Sequence, residues 1–142
     1  MLSSEDLYKL AKARFEEAEI LLKNKKPDGA VHLAGYAIEL MLKRRIVHVL
    51  DWDGYPDTKP EFERKQSFKI HDLSNLLHLS GLEKKLQADN GLFAKWQIAG
   101  AWDSEVRYKK LGQVSQSEAR DIINATRDVL NCILAENRAH KK

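Results

Sequence analysis

Between Asp28 and Leu50, apolar side chains stand at Ala30, Leu33, Ala34, Ala37, Ile38, Leu40, Met41, Leu42, Ile46, Val47, Val49 and Leu50, too many to form a single stripe. A helix that is apolar on nearly every side is one that its neighbours bury. Charge is confined largely to Glu39 and to Lys43, Arg44 and Arg45. The small residues Ala30, Ala34, Gly35 and Ala37 cluster in the first half, where a neighbouring helix can come close. This stretch is expected to be the central helix of the fold.

Ahead of it, Leu7, Leu10, Ala11, Phe15, Ala18, Leu21 and Leu22 recur at helical spacing, with Lys9, Lys12, Glu16 and Lys23 on the other side. That pattern predicts an amphipathic helix over about residues 4–24. Ser3 or Ser4, followed by Glu5 and Asp6, supplies a cap and an acidic first turn. Asn24-Lys25-Lys26-Pro27 breaks the pattern, and Asp28 is placed to cap the central helix. Two helices joined by so short a turn are expected to lie antiparallel.

After Leu50 the helical pattern stops. Residues 51–68 hold two of the three prolines, and a loop of that length within a compact domain is usually functional or mobile. Ile70, Leu73, Leu76, Leu77 and Leu79 predict a short helix, with Gly81 placed to end it in a left-handed conformation. Leu82 to Ala88 adds a turn or two before the break at Ala88-Asp89-Asn90-Gly91. Leu92, Trp96, Ala99, Trp102 and Val106 then form the buried stripe of a helix ending near Tyr108. Ser115-Gln116-Ser117-Glu118 fits a capping box, and Ala119, Ile122, Ile123, Thr126, Val129, Leu130, Ile133 and Leu134 follow at helical spacing. With no strand of period two and no repeat, the expected fold is all-α. It is one domain over residues 1–142, an antiparallel up-and-down bundle of four long helices and one short one.

Composition narrows the class. At 43% hydrophobic and 32% charged, the 142 residues read as a well-solvated globular domain. No run approaches the roughly 20 apolar residues that span a bilayer, and the first ten residues lack the basic-then-apolar order of a signal peptide. The expectation is a cytoplasmic protein with no membrane partner. A lone Cys132 argues against a disulfide framework, and a net charge of +3 is too small to imply nucleic-acid binding by itself. Glycine-rich phosphate loops, a GxSxG elbow, HExxH and cysteine-based zinc spacing are all absent. His71 and His78 lie seven residues apart, about 10.5 Å along a helix, too far to share a metal. No metal or cofactor is expected.

Four features carry potential chemistry. Glu39 falls in the middle of the buried helix and needs a partner there, either Lys43 one turn on or an arginine such as Arg107. Gly35-Tyr36 suits close helix packing with the phenol reaching a polar group. Trp96, Trp102 and Arg107-Tyr108 read as core plus rim or as a base-stacking platform. His71-Asp72 opens a helix directly after the long loop, as a cap or as part of a site.

Residues 13–46, then Ile70 to Leu82, then the tryptophan-containing helix closing on Val106-Arg107-Tyr108 together resemble the HEPN domain family, the higher eukaryotes and prokaryotes nucleotide-binding domain. The most specific pieces are Gly35-Tyr36-Ala37-Ile38-Glu39-Leu40 with Lys43, and the helix start His71-Asp72-Leu73. The resemblance implies an antiparallel bundle of four or five helices, commonly a homodimer. Members include accessory subunits of minimal nucleotidyltransferases and ribonucleases of toxin, antiviral and RNA-processing systems. For this chain it implies a dimeric module that binds a nucleotide or RNA, or docks a nucleotidyltransferase. Tyr36, Glu39, Lys43, His71, Asp72, Arg107 and Tyr108 would be its contacts, converging at one end of the bundle.

The ribonuclease branch carries an arginine and a histidine with four to six residues between them, and Arg64 and His71 have six. This pair lies earlier in the chain than that branch's motif. The alternative is therefore a metal-independent endoribonuclease of toxin or defence type. His71 would act as acid or base, and Arg64 would stabilise the developing phosphorane charge. A structural dimer whose polar residues satisfy one another is the plainer possibility.

Overall fold

The computed structural model describes residues 1–58, 71–100, 112 and 114–140. Helices α1 (Ser4–Lys23), α2 (Pro27–Val49), α3 (Leu73–Ser80), α4 (Glu83–Ala88), α5 (Asn90–Ala99) and α6 (Gln116–His140) account for most of these residues. Two two-residue strands, β1 (Leu2–Ser3) and β2 (Gly54–Tyr55), complete them. The protein is mostly helical, as its hydrophobic periodicity predicts.

Local chemistry sets the helix ends. Ser3 Oγ accepts from Asp6 N at 3.1 Å while Asp6 Oδ2 accepts from Ser3 N at 3.3 Å, a reciprocal box that satisfies two donors at the start of α1. At its other end Lys25 N donates to Leu22 O at 3.1 Å and Lys26 N to Leu21 O at 2.9 Å. Lys25 holds the left-handed φ of 61° that this paired closure requires. α2 then begins at Pro27, two residues earlier than a cap at Asp28 implies. Pro27 is preorganised for the first helical position and lacks only an N–H that would be unpaired there. Asp28 consequently does not cap the helix; its Oδ2 accepts from Gly112 N at 2.9 Å and ties the turn to the segment ahead of α6.

The helix pair α1–α2 is antiparallel. Ser4 Oγ meets His48 Nε2 at 2.6 Å, the Arg44 guanidinium lies 5.0 Å from the Tyr8 ring centre, and Leu21 packs beside Gly29. Small residues permit this approach: Ala18, Ala30 and Ala34 are fully buried together, and Ile123 of α6 closes over them. Because Ser4 already faces His48, nothing of α1 extends past that level. Val49 and Leu50, expected in the core, are exposed for that reason.

α6 starts where Ser115 Oγ accepts from Glu118 N at 3.0 Å. It lies against both earlier helices. Gln116 Nε2 donates to Leu22 O at 2.6 Å, Arg127 pairs with Glu19 at 3.0 Å, and Arg45 Nη1 donates to Glu136 O at 3.2 Å. These levels make α6 antiparallel to α1 and parallel to α2. α4 and α5 flank its far side, through Lys85 to Glu136 and Lys95 to Asp128. The core joins Leu7, Ile38, Leu42, Ile46, Leu73, Leu76, Leu86, Val129 and Ile133.

The short sheet departs from the expectation of no strand. Leu2 pairs with Tyr55 and Ser3 with Gly54, antiparallel, which folds the segment after α2 back over the N-terminal end of α1. Gly54 is required by close approach: a Cβ there would lie 2.6 Å from Leu2 O. The stripe expected to continue from Ala99 to Tyr108, with Trp102, falls on 101–111, outside the described residues.

Candidate functional site

The most chemically charged point in the interior is Glu39, 2% exposed in the middle of α2. Its Oε2 accepts from Lys43 Nζ at 3.0 Å, the pairing one turn along the helix that the sequence offers. The same oxygen meets His71 Nδ1 at 3.2 Å, across to the segment that opens α3. Lys43 Nζ also lies 5.1 Å from the centre of the Tyr55 ring, so a buried ammonium is held between a carboxylate and an aromatic face. Tyr55 is itself 1% exposed. Burial, and secondarily the Glu39 charge, push its phenol well above the ordinary value, so it stays a neutral group in the cluster.

His71 is placed by its neighbour. Asp72 Oδ1 accepts from Ser74 N at 2.8 Å and Asn75 N at 3.3 Å, capping α3. Gly81, at φ 77°, closes that helix in the left-handed conformation. The cap fixes where His71 leaves the preceding segment. An ionised carboxylate offers only acceptors, so the Nδ1 facing it carries the proton and, in the neutral ring, Nε2 keeps the basic lone pair. With 55% of its side chain exposed, His71 is the member of the cluster that an outside molecule can reach.

Of the residues singled out in the sequence, the structure brings Glu39, Lys43 and His71 into one cluster and makes Asp72 the cap that positions it. Tyr36 lies one turn before Glu39 on α2, 40% exposed, and makes no hydrogen bond among the described residues. Gly35 beside it is buried, as close packing requires. Arg64, Arg107 and Tyr108 lie outside the described residues. Tyr55 is the member that sequence reasoning missed. Its one local signal is the aromatic pair Trp52 and Tyr55 in the segment following the buried helix, whose ring centres stand 6.2 Å apart.

Other reactive groups are quiet. Burial first, then the Glu136 carboxylate, push the Cys132 thiol up, away from the thiolate that a nucleophile requires. No three His, Cys, Asp or Glu side chains among the described residues are grouped to hold a metal ion. No helix among them is long and apolar enough to cross a membrane. Comparison of the chain with protein-family models, with curated proteins and with solved structures gave no match in any of the three.

Proposed function

We propose that the chain is a HEPN-type module that binds a nucleotide or a segment of RNA, acting in the cytoplasm as a homodimer and as a docking partner for a minimal nucleotidyltransferase. On this reading the helices form the four-long, one-short up-and-down bundle of that family. The observation that carries it is the meeting of two separate segments of the resemblance, Gly35 to Lys43 and His71 to Leu73, at the single carboxylate of Glu39. Buried Glu39 and Lys43 neutralise each other and fix the platform. The accessible His71 imidazole then presents a ring nitrogen to a phosphate or ribose hydroxyl, and the exposed Tyr36 ring offers a face on which a base stacks. Arg107 and Tyr108 are proposed to complete the contact.

One observation favours the second reading, a metal-independent endoribonuclease of toxin or defence type. A histidine whose Nδ1 is held by a carboxylate and more than half of whose side chain is exposed is arranged as a general base. Arg64 would be its electrostatic partner. A single experiment separates the two readings. End-labelled RNA of mixed sequence is incubated in excess EDTA with the wild-type protein, His71→Ala and Arg64→Ala, and binding is followed by gel retardation of the same RNA. The expected result is retardation without cleavage, weakened in His71→Ala. Cleavage by the wild type that both folded variants lose would establish the ribonuclease instead. An RNA neither cut nor retarded would dispose of the ribonuclease and of the RNA-binding form of the first reading. Light scattering at micromolar concentration tests the dimer directly.

A further inference from the structure

At the other end of α2 the fold assembles a second polar feature. Its level is that of Pro27, 12 residues before Glu39 and so about 18 Å along the helix axis. The turn joining α1 to α2 and the first turns of α6 enclose a cleft of about 410 Å³. That is within the size range of clefts that take small organic molecules, roughly 300–1,000 Å³. Lys23, Lys25, Arg120 and Arg127 line it, with Glu19 as the only acidic side chain among the described residues. Glu19 is already engaged, pairing with Arg127 at 3.0 Å. Arg127 is fixed further by donating to Asn124 Oδ1 at 3.0 Å and by lying 5.6 Å from the Phe15 ring centre. Lys23, Lys25 and Arg120 form no ion pair among the described residues. Three uncompensated cations around one concavity repel one another until an anion enters.

The floor of the cleft differs from its rim. Leu22 and the buried Ile123 line it, so an apolar or planar body has a surface to rest on while an anionic group meets the cations. A phosphate monoester carries about −1.5 to −2 at pH 7, against −1 for a diester, and so answers three unpaired cations more fully. We propose that this cleft binds a phosphate monoester group attached to an organic body, borne either by a free mononucleotide-sized molecule or by the terminal phosphate of a strand. The site is separate from the Glu39 cluster and does not depend on the function proposed for it.

The test is isothermal titration calorimetry of the full chain at about 0.1 M salt, where longer-range attraction is screened. The probes are adenosine 5′-monophosphate, adenosine, and an RNA hexamer with a 5′-phosphate or a 5′-hydroxyl. The expected result is saturable binding of at least one phosphorylated probe, one-to-one in His71→Ala, with its unphosphorylated counterpart at least about tenfold weaker. Binding by the monophosphate identifies a free small molecule as the source, and binding by the phosphorylated hexamer alone identifies a strand end. The double substitution Lys25→Gln with Arg120→Gln is expected to weaken binding about tenfold. Both side chains are exposed, so the thermal unfolding midpoint should hold, and the same loss is expected on the His71→Ala background, where the contact proposed for the Glu39 cluster is removed. The proposal is overturned if neither phosphorylated probe saturates, or if the double variant binds like the wild type. Loss of binding in His71→Ala with retention in the double variant would also overturn it, moving the ligand to the Glu39 cluster.

Discussion

Lys43 Nζ and Glu39 Oε2 stand 3.0 Å apart one turn along α2, with only 11% and 3% of their side chains exposed. Two charges so far from water are held by each other, and their value to stability is asymmetric. Deleting one partner strands the other in the core, whereas replacing both removes the desolvation cost together with the attraction. Lys43→Met is therefore expected to lower the unfolding free energy by about 3–5 kcal/mol. Glu39→Leu combined with Lys43→Met should cost less than either change alone. Urea unfolding of the three variants at pH 7 measures this. Strictly additive losses would show that the two residues do not act as a buried pair.

Tyr55 gives the cluster a pH signature. Its folded phenol titrates above the ordinary value of 10.0, because burial and then the Glu39 charge oppose the phenolate. A raised folded pKa means that its contribution is fully present below about pH 10 and is lost as pH rises, since the unfolded chain releases the proton first. Unfolding free energy should therefore fall above pH 10, with a slope approaching about 1.4 kcal/mol per pH unit from this one group. Lysines titrate in the same range, so the diagnostic quantity is the difference between the wild type and Tyr55→Phe. That difference should be flat from pH 7 to 9 and should change steadily above 10. A parallel pair of curves across the whole range would place the Tyr55 phenol in contact with solvent.

Much of this fold can be read along the chain because its signals are local. Ser3 with Asp6, Ser115 ahead of Glu118, Asp72 ahead of Ser74 and Gly81 each act on backbone groups within a few residues, and each does so in the structure. The Glu39–Lys43 pair is legible for the same reason, being one helical turn. Asp28 misleads because two start signals compete, and Pro27 fixes the first helical position one residue ahead of it. The two-residue strands are too short to show any period. Tyr55 reaches Glu39 and Lys43 only through chain reversal after α2, which no spacing encodes. The cationic cleft is hidden more thoroughly. Lys23, Lys25, Arg120 and Arg127 each read as ordinary charges on a polar helix face or turn, and only the docking of α6 beside the α1–α2 turn brings the two pairs together.

Lys25 connects that cleft to the backbone. Its φ of 61° is one that a side chain with a Cβ occupies at a cost of about 1–2 kcal/mol, and helices closing in this way usually place glycine there. The two hydrogen bonds that close α1, from Lys25 N to Leu22 O and from Lys26 N to Leu21 O, come from backbone and would survive the change to glycine. Lys25→Gly relieves the strain while giving back part of the gain through the greater freedom of the unfolded chain, about 0.5–1 kcal/mol. The net expectation is a protein more stable by up to about 1 kcal/mol in urea unfolding. The same substitution removes one of the three lining cations that form no ion pair among the described residues, so whichever phosphorylated probe binds the wild type should bind it more weakly. Stability and affinity would then move in opposite directions at a single exposed residue, which is what a side chain retained for binding produces. A variant that is more stable and binds as before would leave the lysine without a role in the cleft. A less stable one would show that the Lys25 side chain supports the turn itself.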